Sequence, residues 1–434
     1  MKQLFRYVII LIILAPQAIF AQGELSLQAA IDSALYHNLG LVISRNEAAI
    51  AGNNYSLGNA GMLPRLDLNA GTNIASNNLH QKFNTGTEIN KNGVVSKAYN
   101  GQLALNWTLF DGSKMFATHE KLEILKDMGE LNVRMRMEEI TSDVVKAYSE
   151  IVRLKIVLKG IEDNLGIYEE RQKLADTRLQ IGKASKSELL QAKIDFNIQK
   201  ANLTKQQSAL KAAKINLNSL LLRPLNTEFE VSSKLAINEN LELKTLLDDL
   251  ASGNKQLQFL RMQEQQKQQE VKEQQSYYYP KVNLNAGYNF AGNTSTQGLF
   301  LLNQSRGPVA GLTFNWNLYN GTQKKQVENS KLVQENVRLQ YDATKNTLES
   351  MVMNAWQRYQ DALIFAKTEQ ENFKLTEENL AITMARFKLG EATILELKDA
   401  QLSSELSTGR LAATMYDTKL AETELLFLVG KLVK

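Results

Sequence analysis

The residues of this chain best placed to do chemistry are carboxylates in its second half. Glu396 and Asp399 stand three apart in a helical stretch, so both fall on one face and can act together on a cation. Glu188 holds the matching position in the first half, where Gln191 replaces the second acid. An acidic pair at this spacing either concentrates cations or is a solvated helix surface. Catalysis finds no constellation to use: His37, His80 and His119 are isolated, no serine sits in a glycine elbow, and no phosphate-binding loop occurs. The pairs Asp111-Gly112 and Asn320-Gly321 terminate strands instead. We therefore expect no enzyme, no cofactor and no metal centre, since clustered histidines and cysteines are missing.

Elements that could position such acids follow from an internal repeat. Leu63-Pro64-Arg65-Leu66-Asp67-Leu68-Asn69-Ala70-Gly71 returns as Tyr279-Pro280-Lys281-Val282-Asn283-Leu284-Asn285-Ala286-Gly287, an offset of 216. Asn106-Trp107-Thr108-Leu109-Phe110-Asp111-Gly112 returns as Asn315-Trp316-Asn317-Leu318-Tyr319-Asn320-Gly321, an offset of 209. Arg178-Leu179-Gln180-Ile181-Gly182 returns as Arg386-Phe387-Lys388-Leu389-Gly390, an offset of 208. Three blocks in one order at nearly one offset mark a duplicated unit.

Between the first two blocks of each half the hydrophobic period is two. Leu66, Leu68, Ala70, Thr72 and Ile74 alternate with Asp67, Asn69, Gly71 and Asn73, and Leu103, Leu105, Trp107 and Leu109 behave alike. Val282 to Phe290 and Leu312 to Leu318 repeat the pattern. Such segments suit strands of about 9 to 11 residues with one lipid-facing and one amide-rich face, and equally a soluble sheet with one wet face. Helices decide between these. Thr322 to Leu389 holds 68 residues without glycine or proline, which as one helix would reach roughly 100 Å. Its counterpart, Ser113 to Ile181, contains Gly129, Gly160 and Gly166, where a bend or fraying is expected.

Gly182 and Gly390 are each followed by a returning helix, Ser185 to Leu222 and Thr393 to Val429, with Ser185 or Thr393 as N-cap. Leu189, Ala192, Phe196 and Leu203, and Leu395, Leu402, Leu406 and Ala413, are the expected packing faces. A further helix should precede each strand pair, from Leu27 to about Gly58 and from Leu243 to about Tyr277. Polar stretches from about Leu79 to Lys97 and from Gly292 to Gly307 read as loops.

The N-terminus carries Lys2 and Arg6, an apolar run from Tyr7 to Leu14, and Ala21 before Gln22, the layout of a signal peptide. Without cysteine the exported chain has no lipid-anchoring thiol and no disulfide, so it is not a lipoprotein. Elsewhere no segment approaches the roughly 18 apolar residues of a membrane helix. The net charge of +4 falls to +2 once Lys2 and Arg6 are removed, too little to suggest nucleic acid as a partner. The expected partition is 1–21 signal peptide, 22–223 first repeat, 224–240 equatorial linker and 241–434 second repeat. Four strands cannot close a membrane barrel, which starts at about eight, so the chain must oligomerise with lipid around it. Geometry leaves two, three or four copies open, and only the larger barrels enclose water.

Leu25-Ser26-Leu27, Ala30, Ala34-Leu35 and Asn38, the prolines at 64 and 280, both strand-exit blocks and both glycine tips resemble the TolC-like outer-membrane efflux family across nearly the whole mature chain. The resemblance implies a mainly α fold with a membrane β-barrel portion: a homotrimer whose 12-stranded barrel continues into a periplasmic α-helical tunnel. It implies a passive export duct in the outer membrane, extending into the periplasm, that docks to a periplasmic adaptor and an inner-membrane pump or transporter. By similarity, Arg178, Leu179, Gly182, Ser185, Arg386, Phe387, Gly390 and Thr393 are adaptor-contact tip residues, and Glu188, Glu396 and Asp399 line the periplasmic aperture. Phe387 has no hydroxyl, so the family's tyrosine-to-acid latch lacks its donor here. The rival reading is an exported coiled-coil adhesin or structural periplasmic protein, which would lack four paired strands.

Overall fold

The computed structural model describes residues 24–232, 234–297 and 300–433; the expected signal peptide, 1–21, lies outside them. Helices α1 (Leu27–His37) and α2 (Leu39–Asn54) lead to strands β1 (Arg65–Lys82) and β2 (Glu88–Phe110) and to the hairpin of α3 (Lys114–Gln180) and α4 (Lys186–Leu220). The second half repeats the order: α5 (Leu243–Gly253), α6 (Lys255–Gln275), β3 (Lys281–Ser295), β4 (Leu302–Asn315), α7 (Gly321–Leu389) and α8 (Ile394–Leu428). The duplicated strand-strand-hairpin organisation is thus present in the fold.

Contacts divide the chain into two units, and each draws on both repeats. One comprises Met1–Val42, Met135–Asn254 and Thr347–Lys434; the other comprises Ile43–Arg134 and Lys255–Asn346.

The second of these units holds one antiparallel sheet in the order β1-β2-β3-β4. Its register carries the period-two pattern across all four strands. Leu68, Leu103, Tyr288 and Pro308 form one row and Asn69, Gln102, Asn289 and Gly307 the next, on opposite faces. The apolar face is bare within the chain: Leu68 is 77% and Leu312 69% exposed. Among the described residues strands β1 and β4 each have an unpaired edge, and Pro308 lies on one of these edge strands, where a missing N–H is tolerated. At 18, 23, 15 and 14 residues the strands outrun a membrane crossing. They absorb most of both expected loops, leaving hairpin connections only at 83–87 and 296–301. Backbone pairing continues there because it does not depend on the apolar alternation that stops at the polar stretches.

Each expected pre-strand helix is broken once, at Asn38 and at Asn254, again 216 residues apart. Both asparagines are extended, and their N–H groups cap the preceding helix at Ala34 O and Leu250 O. Their side chains compete with the helical backbone. Asn38 Oδ1 accepts from Leu41 N at 3.2 Å, and Asn254 Nδ2 donates to Leu428 O at 2.7 Å.

The expected fraying of α3 at its glycines does not occur; the helix is continuous through all three. Two of them permit close approach instead. A Cβ on Gly129 would lie 3.1 Å from the Ala48 backbone, and one on Gly160 would lie 2.6 Å from Thr408 Cγ2. The expected face of α8 is also corrected. Leu395, Leu402 and Leu406 are exposed, whereas Leu397, Ala400, Gln401, Ser404, Ser407 and Thr408 are buried. Small side chains let helices approach closely, so they rather than the leucines make the contacts within the chain.

In the first unit the stretch between α4 and α5 is held to the helices at matched points. Tyr148 donates to Leu25 O at 2.9 Å, and Leu25 bridges to Val231 in parallel. Tyr359 donates to Asn238 O, and Lys155 and Lys419 reach Val231 O and Ala236 O at 2.7 and 2.8 Å.

Candidate functional site

The tips of the two hairpins are built alike. Helix α3 ends where Gly182 takes φ +71°, and α7 where Gly390 takes φ +81°, a region closed to most side chains. In both, the glycine N–H bonds the carbonyl three residues back and the next N–H the carbonyl five back: Gly182 to Leu179 and Lys183 to Arg178, Gly390 to Phe387 and Glu391 to Arg386. This double bond pair satisfies carbonyls that a helix end leaves orphaned. Ser185 then caps α4 by accepting from Glu188 N at 3.2 Å, and Thr393 caps α8 by accepting from Glu396 N at 3.2 Å.

The caps differ in one respect. At the second tip the Glu396 carboxylate returns to accept from Thr393 N at 2.6 Å, completing a reciprocal capping box. Those bonds from the Thr393 backbone and hydroxyl, aided by Arg386, hold the Glu396 carboxyl below the usual carboxylate range. Asp399 has no hydrogen bond or ion pair among the described residues, and it is exposed. The two acids therefore share a face but not a situation: one charge is spent on the helix end, and the other is open. Glu188 is half-buried, and its carboxylate does not close a box at the first tip.

The tip residues spread over different environments. Gly182, Ser185, Arg386, Gly390 and Thr393 are exposed, and Arg178 and Leu179 are half-buried. Phe387 is only 2% exposed and packs in a cluster with Leu380, Met384, Ala392, Leu397 and Ala400 that also receives Ile167 and Leu174 from α3. Arg178 crosses between hairpins, donating to Phe387 O at 2.8 Å with its guanidinium 4.7 Å from the ring centre. Lys388 makes a second crossing to Glu170 at 2.6 Å. Arg386, the repeat mate of Arg178, instead bonds Glu391 O within its own tip at 3.1 Å.

Behind the tips lies a buried polar layer that residue types alone do not reveal. Arg171 of α3, 1% exposed, donates to Asp195 of α4 and, at 3.1 Å, to Gln401 of α8, which is fully buried. Asp195 also accepts from Gln191 at 2.8 Å and pairs with Lys398 at 3.5 Å. Burial alone would raise the Asp195 carboxyl, but the bonds from Arg171 and Gln191 and the charges of Arg171 and Lys398 bring it below its ordinary value. Next to this layer, Gln199 joins Glu405 at 2.9 Å. Burial raises the Glu405 carboxyl, and burial beside that acid pushes the Tyr168 hydroxyl up to about 12. The one sequence clue was spacing: Tyr168, Arg171 and Ala175 fall on one helical stripe, as do Leu189, Ala192, Asp195 and Gln199.

Among the described residues no helix is long and apolar enough to cross a membrane, which says nothing of strands. No curated protein sequence matches the chain. Several solved structures share its fold. CmeC, the Campylobacter jejuni outer membrane channel, superposes with a TM-score of 0.75 at 15% identity, covering 93% of this chain and 85% of that one. VceC, an outer membrane protein of Vibrio cholerae, gives 0.73 at 17% identity with 93% and 96% coverage. The open state of the Neisseria gonorrhoeae MtrE outer membrane channel gives 0.71 at 18% identity with 93% and 88% coverage. The sequence pattern of the outer membrane efflux proteins matches residues 30–221 and 246–431, one stretch in each repeat, and this chain belongs to that family.

Proposed function

We propose that the chain is one subunit of a passive export duct, a homotrimer whose three four-strand sheets close a 12-stranded barrel in the outer membrane. The observation that carries this reading is the sheet, with an apolar face bare to the outside and two unpaired edges. In lipid each unsatisfied backbone group costs several kcal/mol, so such edges must meet those of other copies. The amide-rich opposite face suits a wet lumen.

In this reading residues 1–21 direct export and are removed, the repeats 22–223 and 241–434 contribute equivalent sectors of the wall, and 224–240 is the equatorial link between them. The hairpin tips around Arg178, Leu179, Gly182, Ser185, Arg386, Phe387, Gly390 and Thr393 face a periplasmic adaptor, itself attached to an inner-membrane pump or transporter. Glu188, Glu396 and Asp399 surround the aperture through which cargo passes. The duct needs no cofactor and performs no catalysis, because its work is to bound a path.

Detergent extraction of the mature protein tests the reading. A trimeric mass, heat-modifiable migration and ion conductance in planar bilayers are expected. A detergent-free soluble monomer without conductance would replace the duct by an exported coiled-coil adhesin or structural protein.

A further inference from the structure

Farther from the tips, roughly 30 Å along α3 from the Gly182 turn, the four hairpin helices share a cleft of about 610 Å³. Its wall is amphipathic. Ile167 of α3, Leu210 of α4, Phe373 of α7, and Leu411 and Met415 of α8 face it, each half-buried, so apolar surface meets water there. An apolar occupant would remove that surface from water. The charges that line the cleft do not balance. Lys159 pairs with Asp163 at 2.7 Å and Lys155 with Glu230 at 3.2 Å, which neutralises both cations. Glu162 and Glu377 have no cationic partner among the described residues, and Glu377 accepts from Ser404 Oγ alone, at 2.7 Å. An anion entering the cleft meets two uncompensated carboxylates and no free ammonium. A buried amide adds a separate observation. Asn164 is 4% exposed and lines the cleft, yet its side chain makes no hydrogen bond among the described residues. Buried amides are ordinarily bonded, so this one is left for an occupant.

We propose that this cleft is a binding site for a small amphipathic amine, a molecule with an apolar ring system and a protonated nitrogen. The rings lie against Phe373, Leu411 and Met415. The ammonium is drawn to Glu162 and Glu377, and the Asn164 amide bonds the polar end of the molecule. The volume suits one such ligand, since small-molecule pockets span about 300–1,000 Å³. The residues that hold it belong to one copy of the chain and exclude the tip acids Glu396 and Asp399. Binding there therefore stands whether or not the chain forms a duct.

Equilibrium dialysis of proflavine, a flat aromatic cation with N–H donors, against the purified full-length chain tests the site, with matched buffer and detergent as the blank. Saturable binding of one molecule per chain is expected. Anthracenecarboxylate, which offers similar rings with a negative charge, should not bind. Glu162→Gln with Glu377→Gln should weaken proflavine binding about tenfold. Glutamine at 377 keeps an acceptor for Ser404, and both positions are exposed, so these substitutions leave the fold in place. Asn164→Leu should weaken binding severalfold, and Leu411→Trp, which fills the cleft from its apolar wall, should abolish it. Uptake that does not saturate, equal binding of the cation and the anion, or full affinity in the Glu162 and Glu377 double variant would overturn the site. So would loss of binding in Glu396→Gln with Asp399→Asn, which would place the cation at the tip instead.

Discussion

Arg178 sets its guanidinium 4.7 Å from the centre of the Phe387 ring while donating to that residue's carbonyl oxygen at 2.8 Å. One side chain thus ties the end of the first long helix to the end of the second, 209 residues later. Arg178→Ala should lower the thermal stability of the assembled protein by about 1 kcal/mol, the charged hydrogen bond being discounted because Arg178 is half-buried. Arg178→Lys should recover little, since an ammonium cannot lie flat on the ring and bond the carbonyl at once. Full recovery by lysine in a thermal melt would show that charge alone matters.

The two acids proposed to surround the aperture, Glu396 and Asp399, should behave unequally. Asp399→Asn should cut cation selectivity, read as reversal potential across a potassium chloride gradient, more than Glu396→Gln, because the Glu396 charge is already engaged by Thr393. The double substitution Glu396→Ala with Asp399→Ala should remove most of the preference. Unchanged selectivity in the double variant would return both acids to the status of helix surface.

The pH dependence of the second tip has a definite sign. The Glu396 carboxyl is held low in the folded chain by the Thr393 backbone and hydroxyl, so its contribution to the cap is complete above the ordinary carboxylate range and fades as pH falls through the lowered folded value. Protection of Glu396 N and Thr393 N against amide exchange, taken relative to the intrinsic rate at each pH, should therefore persist in mild acid and fall only below the usual carboxylate range. In Glu396→Gln the protection should be lower at neutral pH and independent of pH across that window.

Two glycines of α3 should respond oppositely to alanine. At Gly160 the added methyl would lie 2.6 Å from Thr408 Cγ2, and Gly160→Ala should cost about 1–3 kcal/mol by overpacking. Nothing lies within 4 Å of the Gly166 position, and Gly166→Ala should gain about 0.5–1 kcal/mol of helix stability. Thermal melts of the two variants check the pair, and equal shifts would contradict it.

The indole of Trp107 donates to Met62 O at 2.9 Å and that of Trp316 to Tyr278 O at 3.2 Å, equivalent contacts in the two repeats just before Pro64 and Pro280. Trp107→Phe and Trp316→Phe should each cost about 0.5–1.5 kcal/mol. Their effects should add, since the contacts are separate. Temperature-dependent loss of the heat-modifiable form would measure this.

Much of the chain is legible locally. The offsets of 216, 209 and 208 expose the repeat, the alternation of Leu66 to Ile74 gives the strand faces, and Gly182 with Ser185 and Gly390 with Thr393 locate both turns. Each of these is a property of neighbours within a few residues, where backbone conformation and side-chain periodicity are set. Glu396 and Asp399 were readable as a pair for the same reason. That Glu396 closes a capping box while Glu188 does not is not written in the spacing, since Thr393 and Ser185 each stand three residues before their glutamate.

Other features depend on partners far along the chain. Leu402 and Leu406 make as good a helical stripe as any, yet the packed face of α8 is Ala400, Gln401, Ser404 and Ser407, because close approach to α3 and α4 selects small side chains. The strands extend through polar stretches because each residue's pairing partner, not its own hydropathy, decides whether its backbone is bonded. Arg171 reads as an ordinary surface arginine until Asp195 and Gln401, the latter 230 residues away, enclose it. Sequence alone determined the repeated unit, its turns and its two-faced strands, since these are written in local period and backbone preference. Tertiary structure decided which faces are covered and which charges are buried, since burial is set by what a fold brings alongside.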